Sequence, residues 1–241
     1  VTKKDTKNNI ISLETWTNTE YGNKMLHCEL LRYYGLLYML PDIFQTILDA
    51  GCGKGYMSYL LSKAGYQVTA LDISETNLQV FRAYCEQFNI NQVSADLLSY
   101  TTQDKYDGLI CQEVLEHVEL YQKVISNFHN LFKDNGFALI CVPYKENLPA
   151  KMIIDPQTNR YKHKNGHLHS FEPTSFSYHI QAAGLRIIKH RLLVNKRLLN
   201  WMGKGKTELS RFWLIADNIM NLLFPHRATY MAFLVQKSAH K

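Results

Sequence analysis

The run "QEVLEHVE" sets Glu113, Glu116 and His117 directly after an apolar stretch. Spacings of three and four place two carboxylates and an imidazole on one face of a helix. Three outcomes fit those residue types. His117 titrates near neutrality and, with Glu116 beside it, could take a proton from a substrate. All three together could hold a divalent ion that acidifies a bound hydroxyl. The third outcome is solvated surface, where the acids cap a helix and orient the ring.

A second constellation, "LDAGCGKG" at residues 48–55, lies at a strand-to-helix junction. Gly51, Gly53 and Gly55 permit a tight turn and a close approach of backbone to ligand at a helix N-terminus. Asp72 follows at the end of the next strand, 21 residues after Gly51. Doubly wound folds carry there the carboxylate that grips ribose hydroxyls. The spacing is GxGxG, not the GxGxxG of dinucleotide sites. Asp49 also precedes the first glycine, where it would repel a pyrophosphate but attract a cationic sulfonium and ammonium. The pattern favours S-adenosylmethionine over NAD. Asp96, after the third strand, either reaches the adenine edge or is the N-cap of a helix beginning at "LLSY".

The string "ILDAGCGKG…VTALDIS…YDGLICQEVLEHV…LFKDNGFALICVP" resembles the class I S-adenosylmethionine-dependent methyltransferases. Within them it is most similar to the ubiquinone-biosynthesis O-methyltransferases, over about residues 24–190. The resemblance implies that Gly51 and nearby backbone line the methionine moiety, that Asp72 holds the ribose, and that Gln112 touches the cofactor. Arg32 falls where relatives use an arginine on the methionine carboxylate. Asp49, Gly53, Ile73, Asp96 and Leu97 complete the expected cofactor set. Small-RNA 3′-terminal 2′-O-methyltransferases add a histidine from a downstream His-x-Phe-Glu segment, and "HSFEPTSF" puts His169 there, with His167 a near neighbour. A candidate metal set is therefore Glu113, Glu116, His117 and His169. Many methyltransferases with this motif need no metal, so a divalent ion is possible but not expected. The implied reaction is methyl transfer to a small, lipophilic or aromatic acceptor, most simply at oxygen, with His117 and Glu116 as the catalytic pair. The alternatives are a metal-dependent 2′-O-methyltransferase of RNA 3′ ends and a non-catalytic S-adenosylmethionine-binding partner subunit.

The elements that must position these residues alternate along the chain. Strand candidates are residues 46–50, 67–71, 92–95, 107–112 and 137–142, with helices expected over 56–64, 75–88 and 120–132. Strands separated by helices predict a doubly wound, mostly parallel, Rossmann-like sheet with helices on both faces. Residues 173–184 read as a helix, and 185–194 and 228–236 as two final strands, giving seven. Residues 1–40 form an expected helical cover, with apolar positions at helical spacing over 12–40, and 41–241 the cofactor-binding domain.

Two segments fall outside this alternation. Residues 144–170 are rich in Lys, His and Asn and follow the fifth strand, where either a lid or a solvated loop is expected. Residues 195–225 form an expected helical insertion, in which Leu209, Phe212, Trp213, Ala216, Ile219, Met220 and Leu223 repeat at helical spacing, and Leu214, Ile215 and Leu222 widen the stripe. Lys196, Arg197, Lys204, Lys206, Arg211 and Arg227 flank it. Core packing, a membrane-surface helix and a dimer contact all fit that pattern.

At 241 residues and 46% hydrophobic content the chain can bury one sizeable core, which argues against a disordered protein. No apolar run reaches membrane-spanning length. The polar start "VTKKDTKNNI" shows no secretory signal. Five cysteines without CxxC spacing suit reduced thiols and a cytoplasmic setting. A net charge of +6 adds mild support for an anionic partner, RNA among them.

Overall fold

The computed structural model describes residues 27–42, 45–85, 88, 90–202 and 210–238. Seven strands form one sheet in the order β3-β2-β1-β4-β5-β9-β8. They are β1 (Thr46–Ala50), β2 (Gln67–Asp72), β3 (Ile90–Ser94), β4 (Tyr106–Gln112), β5 (Phe132–Pro143), β8 (Leu185–Asn195) and β9 (Ala228–Lys237). The first five pair in parallel, and β9 runs antiparallel between β5 and β8. This is the doubly wound sheet that the alternation predicts.

Seven α-helices accompany the sheet among the described residues: α1 (His27–Leu37), α2 (Tyr56–Lys63), α3 (Glu75–Cys85), α4 (Tyr121–Leu131), α5 (Pro173–Ala182), α6 (Lys196–Met202) and α7 (Arg211–Leu223). Successive strand residues point to opposite faces. Ile47 accordingly joins a core with Leu31, Leu36, Leu61 and Phe81, while Leu48 joins one with Val124, Phe128, Phe176 and Ile180. Helices α1, α2 and α7 therefore cover one face, and α4 and α5 the other. Cys111 and Cys141 are buried strand residues, as their apolar neighbours suggest. The expected helix over 12–40 is described only from His27, and Leu26, Lys204, Lys206 and Leu209 lie outside the described residues.

Element boundaries shift where local pattern is weak. The third strand begins two residues earlier than its apolar run, because Ile90 to Ser94 pair in register with Val68 to Asp72. The fifth begins at Phe132, whose pairing with Tyr106 precedes a bulge. Within 144–170 a short hairpin forms, β6 (Met152–Ile154) with β7 (Tyr161–His163). Three-residue strands are too short to show alternation. The turn between them is fixed by Asp155, which accepts bonds from the Gln157 amide at 3.1 Å and the Thr158 hydroxyl at 3.0 Å.

The sheet order reverses between β1 and β4, and the motif residues Gly51, Asp72 and Gln112 all lie at the carboxyl ends of β1, β2 and β4. Open α/β sheets bind ligands at that switch point.

Candidate active site

The glycine turn is built around positive φ angles. Gly51 has φ +79° and Gly55, the N-cap of α2, has φ +81°. A Cβ at Gly51 would lie 2.3 Å from Val114 Cγ2, and one at Gly55 would lie 2.4 Å from the Phe81 ring. Both positions therefore exclude side chains on two independent grounds. Gly53 faces open space, with no atom within 4 Å of where a Cβ would stand. Its amide donates to Asp72 Oδ2 at 2.7 Å, while the Ser74 amide donates to Asp72 Oδ1 at 2.8 Å. Asp72 thus ties the turn to the end of β2, and each oxygen keeps a lone pair for another donor.

Several expected cofactor residues gather at this edge, in different states. Ile73 is 71% exposed beside Asp72, an apolar flank open to solvent. Gln112 is buried and its Oε1 has no hydrogen-bond partner. Leu97 is buried, while exposed Asp96 accepts the Leu98 amide at 2.9 Å at the head of a turn, and no helix begins at "LLSY". Asp49 lies deeper than its neighbours. It is wholly buried and accepts the Ser58 hydroxyl at 2.6 Å, leaving Oδ1 unpartnered. Burial, opposed by the Ser58 bonds, pushes its carboxyl up to about 7, so a cationic ligand beside it would favour the charged form.

The Glu-x-x-Glu-His run is not a helical face. Glu113 stands at φ +52°, and Leu115–His117 make a single 3-10 turn. The reversal directs Glu113 to α1, while ligand atoms of Glu116 and His117 stay within 4.8 Å of each other. Glu113 pairs with Arg32 of α1 at 3.4 Å, and the Arg32 guanidinium lies over the rings of Tyr33 (5.0 Å) and Tyr230 (4.7 Å). Arg32 therefore enters the site through Glu113, with its Nε buried and unpartnered. Glu116 is wholly buried with neither carboxylate oxygen bonded. Burial, reinforced by Glu113, raises its carboxyl well above the ordinary carboxylate range, which favours the protonated form. Burial also lifts Glu113 to about 7, against the pull of Arg32. His117 is exposed, and partial desolvation together with His167 lowers its pKa, which leaves the ring neutral near pH 7.

The downstream histidine that joins this corner is His167. Ligand atoms of Glu116, His117 and His167 lie within 4.8 Å of one another, and those of Glu146, His163 and His167 form a second such group. The four-residue set of Glu113, Glu116, His117 and His169 is not assembled. Glu113 is engaged by Arg32, and His169 Nε2 bonds the Val118 carbonyl at 3.0 Å. His167 is held from behind by Glu146, whose other oxygen takes Lys151. The His163 Nδ1 accepts the His167 amide at 3.1 Å, and the Leu168 amide donates to the Glu116 carbonyl at 2.7 Å. The His117 and His167 rings meet edge to face at 4.8 Å. Thus the polar segment after β5 folds onto the β4 turn. Sequence reasoning missed Glu146, His163 and Tyr230. Only the density of His and Lys after β5 hinted at the first two, and nothing local hinted at Tyr230.

Comparison with known proteins agrees with this geometry. The Methyltransferase domain family matches residues 26–190. A ubiquinone biosynthesis O-methyltransferase of Rickettsia canadensis is 27% identical over 218 residues, 84% of this chain and 92% of that one. Its namesake in Rickettsia conorii is 38% identical over 96 residues, 39% of this chain and 33% of that one. An S-adenosylmethionine-dependent methyltransferase structure from Mesorhizobium loti superposes with a TM-score of 0.59 at 18% identity, covering 84% of this chain and 95% of that one. One from Clostridium acetobutylicum gives 0.57 at 12% identity, covering 82% and 85%. A glycine turn clamped by a carboxylate at the switch point of a seven-stranded sheet, inside a matched span of this length, has one meaning: the chain belongs to the Methyltransferase domain family and is an S-adenosylmethionine-dependent methyltransferase.

Proposed function

We propose that the chain methylates an oxygen of a small, lipophilic or aromatic acceptor. The observation that carries this reading is the corner of Glu116, His117 and His167 at the end of β4, where a neutral imidazole stands beside a buried carboxyl that favours its protonated form. When bound, S-adenosylmethionine supplies an electrophilic methyl group on a sulfonium centre. The residues at the switch point fit it, because Gly53 leaves open backbone and the Gln112 and Asp49 oxygens await donors. Gly51, Gly53, Asp72 and Ile73 would hold its nucleoside and methionine parts, with Gln112, Asp96 and Leu97 beside them and Arg32 acting from beneath through Glu113.

His117 takes the proton from the acceptor hydroxyl, a role that needs a ring unprotonated at working pH. Glu116, uncharged and buried beside His117, adds no repulsion to the developing oxygen anion. The names of the Rickettsia relatives support an oxygen acceptor on a lipophilic ring. An RNA 3′-end acceptor has less support, since His169 is bonded to Val118.

The test is His117→Ala. Turnover should fall on the order of 10²–10⁴-fold while S-adenosylmethionine affinity holds. Activity that survives a chelator and falls with His117 selects proton transfer. Loss with chelator, restored by a divalent ion, would assign Glu116, His117 and His167 to metal instead. Full activity in the variant rejects both.

A further inference from the structure

Helix α7 is apolar on both sides, with Trp213, Leu214, Ala216 and Met220 packed inward against the core. Its inward side carries Asp217 and Asn221, both buried and hydrogen-bonded to each other at 3.0 Å. Its outward side carries Phe212, Ile215, Ile219, Leu222 and Leu223, exposed by 66, 60, 49, 74 and 64%. Their spacing confines them to a stripe roughly 100° wide. Trp201 on the neighbouring helix α6 is 75% exposed as well. Single exposed apolar residues are ordinary, but a contiguous group exposing several hundred Å² marks a contact surface.

The charges around the stripe are of one sign. Lys196, Arg197, Arg211 and Arg227 are exposed. Among the described residues from 195 to 227 the sole carboxylate is Asp217, which is 4% exposed and taken up by the Val194 and Asn195 amides. Lys204, Lys206 and Glu208 lie outside the described residues. Arg197 is held over the Phe224 ring at 3.8 Å, so cation and apolar surface sit together. A cleft of about 450 Å³ between α1, β8 and α7 shares Arg211 and Ile215 with this face and adds Arg191 and Leu193. Asp217 and Asn218 also line that cleft, so the match to an anionic amphiphile rests on the outer face.

We propose that this face docks the protein on an anionic lipid bilayer. The apolar stripe enters the boundary between headgroups and acyl chains, and the arginines and Lys196 remain at phosphate level. No helix among the described residues is long and apolar enough to cross a membrane, so the contact is one of lying on the surface. A second copy of the chain is the poorer occupant. A two-fold contact would set the same cationic rim against itself, whereas an anionic surface supplies the opposite charge.

Flotation of the whole chain tests this, using vesicles of phosphatidylcholine alone and of phosphatidylcholine mixed with phosphatidylglycerol. Binding is expected on the mixed vesicles, weaker on the neutral ones, and loosened by salt. Ile219→Ser with Leu222→Ser should lower the partition more than about tenfold, and Arg211→Ala about fivefold. These side chains are exposed, so thermal melting should not move. Failure of the wild type to float with anionic vesicles overturns the proposal, as does binding that neither variant weakens. Light scattering that finds a dimer dispersed by the Ile219/Leu222 variant would give the face to a second copy and overturn it equally. No methyl transfer is involved, so the acceptor reading stands or falls separately.

Discussion

Two buried polar clusters in this molecule are built from similar residues and end in opposite states. At the base of α7, Asp217 accepts the Val194 amide at 2.8 Å, the Asn195 amide at 2.6 Å and Asn221 Nδ2 at 3.0 Å. The Asn195 side chain bonds the Met220 and Phe224 carbonyls, both at 3.1 Å, and its Oδ1 caps the start of α6 at Arg197. Every polar atom there has a partner. At the carboxyl edge of the sheet the reverse holds. Among the described residues nine buried side-chain polar atoms lack partners, and six of them belong to Arg32, Asp49, Gln112, Glu113 and Glu116. Folding rarely tolerates such atoms, because each forfeits its hydration. Their concentration at one edge marks a place shaped for something other than stability. A saturated cluster holds the fold, and an unsaturated one waits for a ligand.

The largest effect should come from breaking the saturated cluster. Val194 sits at φ +62°, a conformation that a β-branched residue adopts only under constraint. Asp217 supplies that constraint through the Val194 amide. Asp217→Ala should strip two buried amides of their acceptor, destabilising the protein by about 3–5 kcal/mol in urea titration even after any relief of strain at Val194. S-adenosylmethionine affinity measured on the folded fraction should stay put. A stability loss under about 1 kcal/mol would show that the cluster is not what holds this corner.

Asp72 sits between the two classes, since it is bonded to the chain and yet faces the open turn. Asp72→Ala should weaken S-adenosylmethionine by about 1.5–3 kcal/mol, read by calorimetry. Asp72→Asn sharpens the cause. An amide oxygen can still accept one backbone amide but offers a weaker, uncharged partner to ribose hydroxyls. If Asn restores affinity in full, the residue acts through Gly53 and the turn. If Asn is as weak as Ala, the lost charge at the ligand is responsible. Unchanged affinity in both variants removes Asp72 from the site.

How much of this was legible in the sequence depends on how far apart the partners lie. The turn from β1 into α2 and the acid after β2 are encoded by neighbours, and Gly51, Gly55 and Asp72 stand where the pattern put them. The "QEVLEHVE" run misleads because helical periodicity presumes a helix, whereas Glu113 at φ +52° ends β4 with a reversal. Arg32 with Glu113, and Glu146 with His167, meet only through the tertiary fold. No local rule signals such pairs. The stripe in α7 was visible, but not which side of it faces out. The clamp of Asp217 on β8 decides that orientation, and it leaves Phe212, Ile215 and Leu222 on the solvent side.

The last effect is a slope rather than a step, the pH dependence of the unsaturated cluster. Glu116 is raised well above the ordinary carboxylate range by burial, and Glu113 and Asp49 to about 7. An unfolded carboxyl ionises near its ordinary value of about 4.3. Between that value and the raised one, the folded chain holds protons that the unfolded chain has lost. Stability is therefore fully present below the unfolded pKa and declines as pH rises through the window. One such group contributes a slope of at most about 1.4 kcal/mol per pH unit. Glu116→Gln cannot ionise in either state, so its stability should fall less steeply than that of the wild type between about pH 6 and 8, with the gap widening as pH rises. The same carboxamide keeps the volume and a hydrogen-bond donor, so the core should not collapse. Burial raises the Asp217 carboxyl too, but there the Asn195 and Val194 amides oppose it, whereas Glu116 has no such side-chain partner. Parallel curves for wild type and Glu116→Gln would mean that Glu116 is ionised and partnered in solution, and the distinction between the two clusters would fail at its central residue.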